Sequence, residues 1–148
     1  MIYPGYNDSH THFIWMGLKL ISLNIEGTVS AADVYGRLSD YRDKVPPGSA
    51  IIGEGYDETK WKEKTNISKA QLDRIAPGNP VVLRRVCGHK GIANSEALKK
   101  IPNNWKIVNR ATGELFEDAV LYIRKLFPPT EDELDRGLSC LLYTSDAA

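Results

Sequence analysis

Apolar positions alternate or run together in several short stretches of this chain, and these stretches predict strands. From Tyr3 to Phe13, entered through a Pro-Gly turn, side-chain character alternates up to an apolar stretch, which predicts a first strand. Ala50 to Gly53 predicts a short second strand. Val81 to Cys87 is the clearest strand, because β-branched and aliphatic residues fill it and only Arg84-Arg85 interrupts them.

Capping signals and helical spacing predict helices between these strands. Ser30 followed by Asp33 resembles a capping box, and the apolar residues after it predict a helix from Ala31 to Asp43. Two further helices are predicted to begin at the capping boxes Ser68/Gln71 and Thr130/Glu133. Asn94-Ser95 can cap a helix over Glu96 to Lys100, and a helical pattern also covers Phe116 to Leu126. Strand, helix, strand, helix in alternation predicts an α/β protein with a parallel sheet.

Composition and charge narrow the classes of partner. Lysine plus arginine and aspartate plus glutamate number 19 each, so no basic excess points to nucleic acid or to an anionic membrane surface. No apolar run approaches the roughly 20 residues that span a bilayer. Cys87 and Cys140 lack a CxxC spacing, which favours a reducing compartment and hence the cytoplasm. A small-molecule partner is expected, and the oligomeric state does not follow from the sequence.

The segment DSHTH carries the clearest chemistry. On a strand, Asp8, His10 and His12 project to the same side, where two imidazoles can bind one divalent metal ion such as zinc. A bare HxH also arises by chance, and Asp8 is either a turn residue or an acceptor that orients an imidazole. We favour the second role for Asp8, because metal-bound histidines usually need such an acceptor.

Three loop residues are further candidates for contact with a substrate. His89 follows the third predicted strand in CGHKG, where a βα loop is expected, and active-site groups gather at such strand ends. Asp57 and Trp61 lie in the glycine-rich and charged loop from Gly53 to Asn66. Such residues also occur simply as solvated loop positions.

Two other features near these candidates have simpler interpretations. Cys87 is predicted to be an inert, buried thiol at a strand end. Arg84-Arg85 fits either an anion clamp or one ion-paired arginine beside one exposed arginine.

Three segments together resemble the family 3 branch of the metal-dependent amidohydrolase superfamily. Members typically show a PGFIDSHTH-like segment, a GxGWDE-like loop ending near a tryptophan, and LDxIAPxxPVVLxRxxGHxxxxNSxAL. Here these read PGYNDSHTH (Pro4 to His12), GEGYDETKW (Gly53 to Trp61) and LDRIAPGNPVVLRRVCGHKGIANSEAL (Leu72 to Leu98). Tyr56 stands where tryptophan is common in the family.

The resemblance implies a (β/α)8 TIM barrel that cleaves an amide or related C–N bond, other than a peptide bond, by metal-activated water. It implies that His10 and His12 are metal ligands and that His89 contacts the site or the substrate. Related sites also use a lysine or glutamate, two further histidines and an aspartate from later strands, and no histidine follows His89 here. The chain is therefore expected to hold about the first three βα units of a longer protein and to be inactive alone.

The end of the chain departs from the pattern before it. Gly137 falls inside a newly started helix, and Leu141 to Ala148 follows no helical face. The last nine residues also match the translation of a transposase-type sequencing adapter. We therefore expect residues 1–139 to be the N-terminal part of the barrel domain and residues 140–148 to be a non-native tail.

Two alternatives stay open at this point. Some metal-dependent phosphoesterases also begin with a DxHxH strand, although serine- and glycine-rich residues tend to follow theirs, whereas an apolar stretch from Phe13 to Met16 follows here. The chain could also be a non-catalytic module that binds metal or a partner.

Overall fold

The computed structural model describes residues 12–146. Its helices are α1 Phe13–Ile21, α2 Ala31–Arg42, α3 Lys69–Ile75, α4 Ser95–Lys100, α5 Asp118–Leu121, α6 Ile123–Leu126 and α7 Glu131–Asp146, with one 3-10 turn at Glu58–Lys60. Its strands are β1 Leu23–Asn24, β2 Ile51–Tyr56, β3 Val81–Arg85, β4 Lys90–Ala93, β5 Val108–Asn109 and β6 Glu114–Phe116. The described elements form two compact units, one with α1 and α7 and one from Ser22 to Pro129.

The larger unit is built on one mixed sheet with strand order β1-β2-β3-β4-β6-β5. Strands β1, β2 and β3 are parallel, and α2 and α3 connect them, as the alternation of strands and helices predicts. From β3 onwards the pairing is antiparallel, so the all-parallel expectation is wrong for this part of the sheet. Gly88, with a φ of 75°, allows the tight turn that sends β4 back along β3 as a hairpin.

Apolar side chains from both faces of the sheet form two cores. On one face, Ile51 and Val81 pack with Val34 and Leu38 of α2 and with Leu72 of α3. On the other face lies a cluster of strand residues and residues from α4, α5 and α6: Ile52, Val82, Ala93, Ala97, Leu98, Leu115, Ala119, Val120 and Ile123. Burial on both faces explains why Val81 to Leu83 is continuously apolar.

Three of the four predicted helix caps are built as the sequence indicates. Asp33 donates its backbone N–H to the Ser30 hydroxyl at 3.1 Å, and Asn94 accepts from the backbone of Ala97 at 2.9 Å. At α7 the box is reciprocal, because the Thr130 N–H donates to the Glu133 carboxylate and the Glu133 N–H donates to the Thr130 hydroxyl. The Ser68 side chain makes no such bond, so that capping box is wrong although α3 begins at the next residue.

Several predicted boundaries are corrected by the structure. Phe13 begins α1 and does not end a strand, while residues 3–11 lie outside the described part of the chain. Strand β3 ends at Arg85, two residues before the predicted end. The helix predicted over Phe116 to Leu126 is the end of β6 followed by two short helices, α5 and α6.

The smaller unit explains the glycine that interrupts the last helix. A Cβ at Gly17 would lie 2.7 Å from the carbonyl oxygen of Gly137, and a Cβ at Gly137 would lie 2.8 Å from the carbonyl carbon of Gly17. The two helices therefore cross where neither has a side chain. Helix α7 continues to Asp146, and Leu141 is buried, which corrects the expectation that no helical face continues past Ser139.

Across residues 12–146, no helix is both long enough and apolar enough to cross a membrane.

Candidate functional site

Of the three predicted residues of the metal site, His12 alone lies in the described part of the chain. His12 is exposed and immediately precedes α1, where its carbonyl oxygen accepts the backbone N–H of Met16 at 3.0 Å. Asp8 and His10 lie outside the described residues. Among residues 12–146, no three His, Cys, Asp or Glu side chains are grouped closely enough to hold a metal ion. The imidazole nitrogens of His10 and His12 are ligands that zinc and similar divalent ions accept, and a carboxylate such as Asp8 is a usual acceptor for a metal-bound histidine.

His89 lies in the turn between β3 and β4 and not in a βα loop. Its side chain is exposed, and its Nδ1 lies 3.0 Å from the carboxylate oxygen Oε2 of Glu117. The backbone N–H of Glu117 also donates to the carbonyl oxygen of His89 at 2.8 Å. The sequence predicted His89 as a site candidate but gave no signal for Glu117.

Asp57 is fixed by a clamp around Arg85. Arg85 donates to both carboxylate oxygens of Glu58, at 3.0 and 2.9 Å, and to Oδ1 of Asp57 at 3.1 Å. The Thr59 hydroxyl donates to the same Asp57 oxygen at 2.6 Å. This hydrogen bond, with a smaller contribution from Arg85, holds the pKa of Asp57 below its usual value, so Asp57 is a carboxylate at neutral pH.

Trp61 is buried, with 4% of its surface exposed. Its indole N–H donates to the carbonyl oxygen of Thr28 at 2.8 Å, and its ring lies 6.3 Å from the ring of Tyr56, centroid to centroid. Burial, with a further contribution from the Glu58 charge, raises the pKa of Tyr56 above its ordinary value, so the phenol stays neutral. The loop from Asp57 to Trp61 is therefore anchored at both of its ends.

Cys87 is exposed, so the prediction that its thiol is buried is wrong. A hydrogen bond from the Arg85 side chain, helped by the backbone N–H of His89, lowers the pKa of the Cys87 thiol. The same hydrogen bond makes the largest contribution to the raised pKa of the Arg85 guanidinium. The sequence misses this arrangement because β3 ends at Arg85 and the chain then turns, which brings Cys87 back to the guanidinium.

Both arginines of the Arg84-Arg85 pair are ion-paired, so the expectation of one exposed arginine is wrong. Arg84 and Arg85 project from opposite faces of β3, and Arg84 donates to Glu54 at 3.0 Å. The Arg84 side chain is about as buried as that of Arg85. Arg124 lies 3.5 Å from the same Glu54 oxygen and donates to the Ser22 hydroxyl at 2.9 Å.

In the larger unit, a series of contacts connects Asp57 with His89, two of the predicted substrate-contact residues. Asp57 contacts Arg85, Arg85 contacts Cys87, and the Cys87 thiol receives the backbone N–H of His89. An open groove of about 330 Å³ adjoins this set and is lined by Glu58, Thr59, Lys64, Thr65 and Asn66. Trp61 lies beneath the same loop and not on its surface. His12 belongs to the other compact unit.

The chain matches a known family over nearly all of its length. Residues 1–143 match the amidohydrolase family, and the chain belongs to that family. Over 155 residues it is 30% identical to the putative amidohydrolase YtcJ of Bacillus subtilis, an alignment that spans 96% of this chain and 29% of that protein. Over 156 residues it is 26% identical to the N-substituted formamide deformylase of Arthrobacter pascens, spanning 95% of this chain and 29% of the enzyme.

Two solved structures have the same fold over this region. An uncharacterized metal-dependent hydrolase from Pyrococcus horikoshii OT3 superposes with a TM-score of 0.71 at 25% identity, over 92% of this chain and 28% of that chain. A second, from Pyrococcus furiosus, superposes with a TM-score of 0.77 at 23% identity, over 97% of this chain and 30% of that chain. The chain spans about 29% of the length of the curated relatives described above.

Proposed function

We propose that this chain is the N-terminal part of a metal-dependent hydrolase that cleaves a C–N bond of an amide or related small molecule, other than a peptide bond. The observation that carries the proposal is the family match over residues 1–143, which includes the DSHTH segment. The deformylase among the relatives, named for its action on N-substituted formamides, supports this substrate class. The parallel β1-α2-β2-α3-β3 part of the sheet supports a place in a (β/α)8 barrel, with residues 1–139 as its beginning.

His10 and His12 would hold the divalent metal, with zinc as the expected ion and Asp8 as the acceptor that orients one imidazole. When bound, such an ion lowers the pKa of water towards 7 and so supplies hydroxide near neutral pH. Asp57 is an ionised acceptor held by Arg85 and Thr59, so it can accept an N–H or O–H of a substrate without moving.

His89 is exposed at the turn after β3 and can contact a substrate directly. Trp61 would contribute by fixing the loop beneath Asp57, because its indole bonds to Thr28 and little of its surface is accessible. The chain alone is proposed to be inactive, since two histidines cannot hold a catalytic ion in a defined geometry.

A chimeric enzyme tests this function. Residues 1–139 would replace the matching segment of the Arthrobacter pascens deformylase, and hydrolysis of an N-substituted formamide would be measured with zinc present. We expect the chimera to hydrolyse the formamide, and we expect His12→Asn to lower the rate by about 100-fold or more. Losing a group that only orients a metal-bound histidine lowers activity by about 10–100-fold, and losing a metal ligand should lower it further. Lys106→Asn, an exposed position, is the matched control.

The thermal unfolding of the chimera shows whether the test is valid. A chimera that melts cooperatively, binds zinc and hydrolyses the formamide equally well with and without His12→Asn would contradict the proposal.

A further inference from the structure

Glu117 has a backbone conformation that is unusual for its residue type. Its φ is 46° and its ψ is −120°, and within residues 12–146 every other residue with a positive φ is a glycine. A side chain is strained in this region, whereas glycine is not. The strain at Glu117 is therefore tolerated for something that the glutamate side chain provides, and such outliers cluster at functional sites.

The carbonyl oxygen of Glu117 accepts the backbone N–H groups of Val120 and Leu121, whereas its N–H and its carboxylate both lie against His89. Strands β4 and β6 pair Lys90 with Phe116, so His89 and Glu117 are the next residues beyond that pair. The Glu117 N–H donates to the His89 carbonyl oxygen at 2.8 Å, which fixes the two backbones relative to each other. The carboxylate then lies 3.0 Å from Nδ1 of the His89 ring.

The chemistry of this pair determines which ring nitrogen carries the proton. An ionised carboxylate only accepts hydrogen bonds, so Nδ1 of His89 has to be the donor. In the neutral imidazole the other nitrogen, Nε2, is then an acceptor with a free lone pair. A neutral imidazole free in water prefers the opposite tautomer, with the proton on Nε2, so the carboxylate imposes the choice.

We propose that Glu117 is a positioning residue that holds His89 as its Nδ1–H tautomer and so presents Nε2 as a hydrogen-bond acceptor. The neighbouring charges leave this pair intact, because Lys90 pairs with Glu114 and Arg85 with Glu58. One consequence rests on the proposed function: an acceptor at Nε2 suits the N–H of a secondary amide and favours such substrates over fully substituted amides.

The tautomer of His89 can be measured without any activity. In the 148-residue chain labelled with 15N at histidine, long-range 1H–15N correlation spectra recorded in mildly alkaline buffer distinguish the two tautomers. His89→Asn assigns the His89 signals among those of the three histidines. We expect acceptor-type Nε2 in the native chain and a switch towards Nε2–H in Glu117→Ala.

Two further variants separate the effect of the Glu117 carboxylate from the effects of its backbone conformation and of nearby negative charge. Glu117→Gly removes the carboxylate while relieving the positive φ, so it should switch the tautomer and keep or raise the melting temperature. Asp118→Asn removes the neighbouring charge, which has no contact with His89, and should leave the tautomer unchanged. Native His89 with its proton on Nε2, or an unchanged tautomer in both Glu117 variants, would overturn the proposal.

The tautomer measurement does not depend on hydrolase activity. If a chimera that melts cooperatively and binds zinc fails to hydrolyse amides but the Glu117 variants switch the tautomer, the positioning role of Glu117 stands and the proposed function fails. If the chimera is active but the tautomer does not respond, the positioning role fails alone.

Discussion

At the scale of single residues, Arg85 determines where the predicted substrate-contact loop lies. Its guanidinium binds Asp57 and Glu58 from one side of β3, and the three side chains are about four-fifths buried. A cation placed between two carboxylates in this way stabilises the loop, and losing it would leave two partly buried negative charges side by side. The sequence singled out Asp57 and the Arg84-Arg85 pair separately but could not predict their contact, because Asp57 follows β2 and Arg85 ends β3, 28 residues further along the chain.

Asp73 provides a residue-scale prediction about acid stability. Its carboxylate is partly desolvated, which raises its pKa, but bonds from the Ser95 backbone at 2.6 Å and the Ser95 hydroxyl at 2.8 Å, together with Lys69, lower the pKa below its usual value. A carboxylate with a lowered folded pKa stabilises the fold above its unfolded pKa of about 3.9, and this contribution is lost as pH falls through the folded value.

We therefore expect Asp73→Asn to lower the free energy of unfolding by about 1–2 kcal/mol at pH 7 and by less in acid below about pH 4. Urea unfolding at several pH values measures both effects. Asp40→Asn removes an exposed carboxylate on α2 and is the control, expected within about 0.5 kcal/mol of the native chain. An equal loss of stability at neutral and acidic pH would show that the Asp73 charge is not involved.

At the scale of elements, the sequence predicted the parts of the fold that local signals specify. Helix α2 follows from the Ser30 cap and α4 from the Asn94 cap, because a cap bond lies within one turn of chain. Strand β3 follows from its apolar run, because that run is buried on both faces. These elements could be predicted without knowing which distant residues contact them.

The elements that the sequence missed depend on such contacts. Strand β4 exists because Ala93 pairs with Val82 across a turn made at Gly88, which the sequence does not distinguish from a loop into a helix. The helix predicted from Phe116 fails because Phe116 pairs with Lys90 and Glu117 then adopts a positive φ. The candidate site residues were predicted from strand and loop positions and from local motifs, and Glu117 was missed because its contact with His89 joins residues 28 positions apart.

The crossing of α1 and α7 gives an element-scale prediction. A Cβ at Gly137 would lie 2.8 Å from the backbone of Gly17, closer than real contacts allow, so the helices must separate. We expect Gly137→Ala to destabilise the crossing by about 1–3 kcal/mol. Hydrogen exchange in residues 13–21 and 131–143 measures the loss directly.

Gly36 in α2 is the matched control, because a Cβ there meets nothing within 4 Å. Gly36→Ala should stabilise its helix by roughly 0.5–1 kcal/mol. If Gly137→Ala also left exchange in both segments unchanged or slower, the close crossing of the two helices would be wrong.

At the scale of the whole molecule, membership of the amidohydrolase family rests on a match that covers nearly all of the chain. The fold is shared with metal-dependent hydrolases over the same region. The activity itself is proposed, since the relatives are more than three times as long as the part that aligns here. The proposed binding of a metal ion by DSHTH would link the family to this chemistry.

A zinc titration followed at the histidine side chains tests that link most directly. With 15N-histidine label in the native chain, we predict that the signals of His10 and His12 shift together as zinc is added, while those of His89 stay unchanged. His12→Asn should abolish the shift of His10, and Asp8→Asn should weaken binding by about 10–100-fold. A response that is the same at all three histidines, or that survives His12→Asn, would contradict the account.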